Sequence, residues 1–218
     1  MKWPDDFVNK IICGDCLEIM KQIPDESIEL ILTDPPYGIE MDKGFSGYGG
    51  FPGKGKIARR RYKIRWDNQR PSREYFEELL RIGRKVLVFG GNFFADLLPR
   101  GTHWVVWDKL NTMPSFGDCE LIWTNINRKS VKKIVFEYNG LIGKEEWRAH
   151  PTQKPLGLII KLIDEYSQEN DIVLDPFLGS GTTAVACKRL RRKFIGIEIN
   201  PEYCEIAEER LAQEVLPF

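Results

Sequence analysis

The chain has 218 residues, of which 42% are hydrophobic, with 32 Lys plus Arg set against 32 Asp plus Glu. That is enough for one domain burying roughly 70% of its unfolded surface, and the charge balance excludes a molecule whose overall field draws in a polyanion. The absence of any apolar run of about 18 residues or more excludes a helical membrane span. The opening Met1-Lys2-Trp3-Pro4-Asp5-Asp6 does not read as a signal peptide, and five scattered cysteines fit a reducing compartment, so a cytoplasmic protein is expected.

In chain order, Lys10–Cys13 reads as a short strand turned by Gly14, and Asp15 with Glu18 makes a capping-box start for a helix to about Gln22. Cys13-Gly14-Asp15-Cys16 spells C-x-x-C, but no second pair at metal spacing accompanies it and His103 and His150 stand alone. Neither zinc nor another metal is expected. Ile28-Glu29-Leu30-Ile31-Leu32-Thr33 reads as a buried parallel strand. Asp34-Pro35-Pro36-Tyr37 cannot continue it, because two prolines remove two backbone donors and force the chain out of the helical region. A stiff elbow follows, at the edge where open α/β sheets bind ligands. Its carboxylate, its carbonyls and its aromatic ring suit a planar ring that bears an amino group.

From Gly38 to Gly55 there are seven glycines, and from Lys54 to Arg73 nine basic residues and one acid, Asp67. The segment is expected to be a functional lid or to lack fixed structure. Its charge fits either a solvated loop or contact with nucleic acid. Order resumes with a helix near Ser72–Arg84, strand Lys85–Phe89 ended by Gly90-Gly91-Asn92, and a short helix over Phe93–Leu98 stopped by Pro99. Strands follow at His103–Trp107, Glu120–Thr124 and Lys133–Tyr138, then helix Leu156–Ser167. Strand Ile172–Leu174, helix Thr182–Leu190, strand Phe194–Ile199 and a helix from Pro201 to about Glu214 complete the chain. Alternation of this kind indicates a parallel-rich α/β sheet covered on both faces.

Asp175-Pro176-Phe177-Leu178-Gly179-Ser180-Gly181-Thr182-Thr183 joins a strand to a helix. Gly179 and Gly181 would let backbone approach a ligand, and the helix amino end favours an anionic group. The loop lacks the lysine of a P-loop and the G-x-G-x-x-G of dinucleotide enzymes. Roughly 20 residues on, Glu198 ends the next strand, where an acid accepts hydrogen bonds from both ribose hydroxyls. An adenosine pocket with room for a carboxylate-bearing tail results. S-adenosylmethionine fits it better than ATP.

These residues resemble the N4-cytosine/N6-adenine DNA methylase family over most of the chain. Asp34-Pro35-Pro36-Tyr37 matches its catalytic motif, Asp175 through Thr183 its cofactor loop, and His150-Pro151-Thr152-Gln153-Lys154-Pro155 the segment before the cofactor strand. The order is that of the family's permuted β group, implying a Rossmann-like S-adenosylmethionine-dependent methyltransferase sheet, circularly permuted with the catalytic half first. The resemblance implies that Asp34 and the Pro35 carbonyl accept from the target amino group while Tyr37 stacks on a flipped-out base. It implies cofactor contacts at Phe177, Gly179, Ser180, Gly181, Thr182 and Glu198, with Thr152 and Lys154 on the methionine carboxylate. Asp15 is expected either to accept from the adenine amino group or to cap its helix, and Asp175 either to touch the cofactor or to orient the loop.

Double-stranded DNA and a restriction-modification role are the implied setting. Arg59, Arg60, Arg61, Lys63 and Arg65 would contact phosphates, which positions a duplex without specifying its sequence. The expected organisation is one domain, 1–218, with a glycine-rich and basic loop 38–71 and a small target-recognition insertion 108–149. So little recognition apparatus leaves room for a second subunit, as in a homodimer. An aspartate leading the elbow favours adenine N6. The alternatives are cytosine N4, where the family more often has serine, an RNA adenine methylase, and a cofactor-binding subunit without turnover.

Overall fold

A computed structural model describes residues 1–39, 69–110, 117–137 and 153–213. The expected strands form one eight-stranded sheet: β1 (Lys10–Cys13), β2 (Ile28–Thr33), β3 (Gly83–Phe89), β4 (Trp104–Asp108), β5 (Cys119–Thr124), β6 (Val131–Val135), β7 (Ile172–Asp175) and β8 (Lys193–Glu198). Their spatial order is β1-β8-β7-β2-β3-β5-β4-β6. The first five run parallel, whereas β5 pairs antiparallel with both β3 and β4. The helices are α1 (Cys16–Met20), α2 (Arg73–Ile82), α3 (Leu156–Tyr166), α4 (Thr182–Arg189) and α5 (Pro201–Gln213).

Alternation along the strands divides the core between the two faces. Leu30, Leu32, Leu87 and Phe89 pack with Leu158, Leu162 and Ile163 of α3 and Ala184 of α4. On the opposite face Ile28, Ile31, Val86 and Val88 pack with Tyr75, Phe76 and Leu79 of α2 and Ile19 of α1. Gly83 is needed where these layers touch, because a Cβ there would lie 2.6 Å from Ile31 Cδ1.

Several expectations shift, α2 stopping at Ile82 and β3 starting at Gly83 where the helix was expected to about Arg84 and the strand from Lys85. The helix over Phe93–Leu98 is a 3₁₀ turn at Gly91–Phe94, entered through Gly90 at φ +62°. β6 spans Val131–Val135, two residues before the expected Lys133 start. α1 stops at Met20 and not Gln22. No described helix is long and apolar enough to cross a membrane.

The topology positions the site. β7 and β2 are neighbours in the sheet although some 140 residues of chain separate them, as the hydrogen bond from Ile172 N to Glu29 Oε2 shows (|i−j| = 143). From that junction the chain moves outward in both directions, so a cleft opens at the carboxyl ends of β7 and β2. Because β1, β8, β7 and β2 are parallel, Asp15, Glu198, Asp175 and Asp34 all reach that edge. β5 runs the other way, so the beginning of β5 arrives there too.

Candidate active site

At the elbow, the buried strand β2 delivers Asp34 into a ring of hydrogen-bonded groups. The Tyr37 hydroxyl lies 2.7 Å from Asp34 Oδ1 and 2.8 Å from Glu120 Oε1. A phenol has one proton, so it donates to one of these carboxylates at a time. Lys154 Nζ bridges the same two acids, 2.7 Å from Asp34 Oδ2 and 3.0 Å from Glu120 Oε1. Lys109 Nζ holds the other Glu120 oxygen at 3.1 Å. Two acids thus face two ammonium groups, with the Lys154 and Glu120 side chains only 15% and 13% exposed.

Burial dominates the electrostatics. It raises the Asp34 carboxyl; the Lys154 ammonium opposes the rise and the Glu120 charge adds to it, leaving the group above its ordinary value. Burial would also raise Glu120, but Lys154 and Lys109 beside it hold that carboxyl down at about 2. Burial likewise works against the Lys154 charge, yet Asp34 and Glu120 keep the ammonium above its ordinary value. Burial, then the two carboxylates, hold the Tyr37 phenol protonated well beyond its usual range. Glu120 is therefore the firm anion of the ring, and Asp34 the acid whose proton affinity is tuned upwards.

The Tyr37 ring stacks on Phe93, with centroids 4.7 Å apart and planes within 15°. Gly90 permits this closeness, since a Cβ there would sit 2.4 Å from Tyr37 Cε1. The turn carrying Phe93 is pinned by Arg70, which donates to the Phe93 carbonyl at 2.8 Å and grips Asp96 through both nitrogens.

Across the cleft, Asp175 accepts from Thr183 Oγ1 at 2.6 Å and from Phe177 N at 3.1 Å. Its carboxyl orients the loop, and burial pushes it up to about 7. Leu178 of this loop lies over Gly196 of β8, where a Cβ would come within 2.4 Å of Leu178 Cδ2. The two loop glycines differ. Gly179, at φ +54°, has open space on its Cβ side, while Gly181, at φ +88°, lies against Ala207 of α5. Glu198 accepts from Gly179 N and Asn200 N, each at 2.8 Å, and burial raises its carboxyl. The Asn200 Nδ2 donor beside it is buried and has no partner among the described residues.

The residues expected to meet the cofactor have these surroundings in the fold. Ser180 and Thr182 are buried and bonded to Arg210, with Ser180 also on Gln153. Gly181 makes room for α5, while the Cβ side of Gly179 is open. Phe177 packs on Tyr75 at 5.3 Å between centroids. Lys154 lies on Asp34 and Glu120, because its ammonium finds two carboxylates there. Asp15 caps α1, its Oδ1 accepting from Leu17 N and Glu18 N. Thr152, Arg59, Arg60, Arg61, Lys63 and Arg65 lie outside the described residues.

Glu120 and Lys109 were not expected at the site. The only sequence sign of Glu120 is one acid opening an apolar strand, and nothing local says that β5 returns beside β3. His103, read as isolated, is buried and meets the Tyr166 hydroxyl at 3.1 Å. Among the described residues, no three of His, Cys, Asp and Glu gather into a metal-holding group.

Residues 105–209 match the family model described as DNA methylase. The type II methyltransferase M.HinfI of Haemophilus influenzae is 32% identical over 98% of this chain and 70% of its own length. The type II methyltransferase M2.MboI of Moraxella bovis is 28% identical over 98% of this chain and 90% of its own. The crystal structure of the M1.HpyAVI-SAM complex superposes with a TM-score of 0.61 at 26% identity, covering 93% of this chain and 98% of that one.

Proposed function

Since this chain belongs to the DNA methylase family, we propose that it moves a methyl group from S-adenosylmethionine to the exocyclic N6 of adenine in double-stranded DNA. One observation carries the reading: a largely buried carboxylate, Asp34, ends β2 beside its sheet neighbour β7, whose following glycine loop is open at Gly179. An aspartate at this position, where the cytosine enzymes of the family more often have serine, supports adenine.

The donor set fits the cofactor. Ribose hydroxyls both donate and accept, so they suit the Glu198 carboxylate, an acceptor, together with the orphaned Asn200 Nδ2, a donor. Gly179 leaves its side of the loop clear, and Asp15 stands at the end of β1, which pairs with β8 at Cys13 and Glu198. When bound, S-adenosylmethionine supplies an electrophilic methyl on a sulfonium. Asp34 and the Pro35 carbonyl accept the two N–H groups of the adenine amino group and turn its nitrogen lone pair out of ring conjugation. Attack is then a direct displacement, governed by positioning and preorganised polarity. The nitrogen must afterwards shed a proton, and Asp34, with its raised proton affinity, is the nearest base. Tyr37, backed by Phe93 and Gly90, offers the aromatic surface for the base.

Incubation with labelled cofactor and duplex DNA, followed by nucleoside separation, should give N6-methyladenine. Label on cytosine alone would overturn the adenine assignment. Label accepted only by RNA would move the substrate class, and cofactor binding with no acceptor at all would leave a binding subunit.

A further inference from the structure

The ammonium of Lys154 occupies the place that methyl transfer at Asp34 gives to the target amino group. It lies 2.7 Å from Asp34 Oδ2, and the other Asp34 oxygen already receives the Tyr37 hydroxyl at 2.7 Å. An incoming amino group offers the same kind of N–H donor to the same carboxylate. Asp34 Oδ2 keeps a second lone pair, but an ammonium at 2.7 Å crowds the amino group and competes for the same oxygen. A buried ammonium will not leave one carboxylate unless another receives it, because an unpaired charge in the interior is strongly disfavoured.

Glu120 is placed to receive it. Its Oε1 is already 3.0 Å from Lys154 Nζ, while Lys109 fixes Oε2 at 3.1 Å. A small rotation of the flexible Lys154 side chain exchanges Asp34 for Glu120 without taking the charge into an apolar or unpaired position. The same rotation lets Tyr37, which now faces both acids, donate to Asp34 alone. We propose that Glu120 is a positioning residue: it holds the Lys154 ammonium aside while the target amino group binds Asp34. Glu120 touches neither base nor cofactor in this scheme. It acts through Lys154.

This inference rests on the methyl-transfer reading of the site and is tested with the full chain, labelled cofactor and the duplex that the parent methylates. The variants are E120Q, E120D, K154M and E120Q/K154M, with cofactor binding and melting temperature followed in each to confirm folding. In the parent background, E120Q should lower kcat/KM for DNA by about tenfold to a hundredfold, the size of coupling between contacting groups. E120D, which keeps the charge, should recover most of that loss, and cofactor affinity should stay within about threefold. In the K154M background there is no ammonium to hold, so adding E120Q should change kcat/KM by less than about threefold. An equal loss from E120Q on both backgrounds would show that Glu120 acts on Asp34 or Tyr37 directly and would overturn the proposal. So would an E120Q protein as active as the parent. If the parent itself methylates no DNA, the functional reading fails first and this inference falls with it; a fully active parent with an indifferent Glu120 sinks the inference alone.

Discussion

Asp34, largely buried, and Asp175, buried more completely, both have raised proton affinity, but in different surroundings. On the proposed methyl-transfer reading Asp34 accepts from the target amino group, so Asp34→Ala should lower turnover by about 100- to 1000-fold, by analogy with removal of one oxyanion donor. Cofactor affinity should hardly move, because the loop of β7 is untouched. Single-turnover assays and cofactor titration separate the two, and near-normal turnover would remove the proposed chemistry. Asp175 is satisfied within its own loop, and its signature is thermodynamic. Its folded value of about 7 exceeds its ordinary 3.8, so the folded state binds the proton more tightly than the unfolded chain. Its contribution to stability therefore falls as pH rises from about 4 to about 7. Asp175→Asn keeps polar partners for Thr183 and Phe177 but cannot ionise. The stability of the variant relative to the parent should rise across that window and level off above it. Denaturant titrations at several pH values check this, and a flat difference would mean that Asp175 is ionised throughout.

At the level of elements, the turn after β3 supports the elbow after β2. Gly90 adopts φ +62°, which an alanine enters at a cost of roughly 1–2 kcal/mol, and the new Cβ would collide with the Tyr37 ring. Gly90→Ala should therefore cost both stability and methyl transfer while sparing cofactor binding, a combination that a melting curve and a binding isotherm resolve. Unchanged transfer would show that the Tyr37–Phe93 stack is dispensable. The same turn marks a limit of sequence reading. Phe93-Phe94-Ala95-Asp96-Leu97-Leu98 has a helical pattern, but Arg70 bonds the Phe93 carbonyl and Asp96, and this tertiary grip prevails over local propensity. Elements whose ends are set locally were legible: Pro35 and Pro36 end β2, Asp15 and Ser72 cap α1 and α2, and Gly179 to Gly181 open α4. Glu120 was not legible because its role depends on a long-range antiparallel pairing. For Lys154 the family motif indicated a functional lysine, but only the fold shows which carboxylates its ammonium meets.

For the molecule as a whole, the question is how a base is selected. The alignment with M.HinfI takes in 98% of this chain and 70% of that protein's length, and we propose that the loop 38–71, the insertion 108–149 or a second subunit contributes to recognition. Charge is the strongest lead, since a neutral protein that binds a duplex must concentrate its cations locally. We propose that Arg59, Arg60, Arg61, Lys63 and Arg65 are that concentration, and that their pairing with phosphates would release counterions on binding. Reversing Arg59, Arg60 and Arg61 to glutamate should weaken binding to duplexes of every sequence. The slope of log affinity against log salt should flatten by about 0.9 for each phosphate that is no longer neutralised. Transfer from saturating DNA should persist, because Asp34, Tyr37 and the β7 loop belong to the sheet edge and not to this segment. Fluorescence anisotropy over a salt series measures the slope directly. A weaker affinity with the slope unchanged would mean that the arginines act through folding of the segment, and an unchanged affinity would move the duplex to the 108–149 side of the cleft.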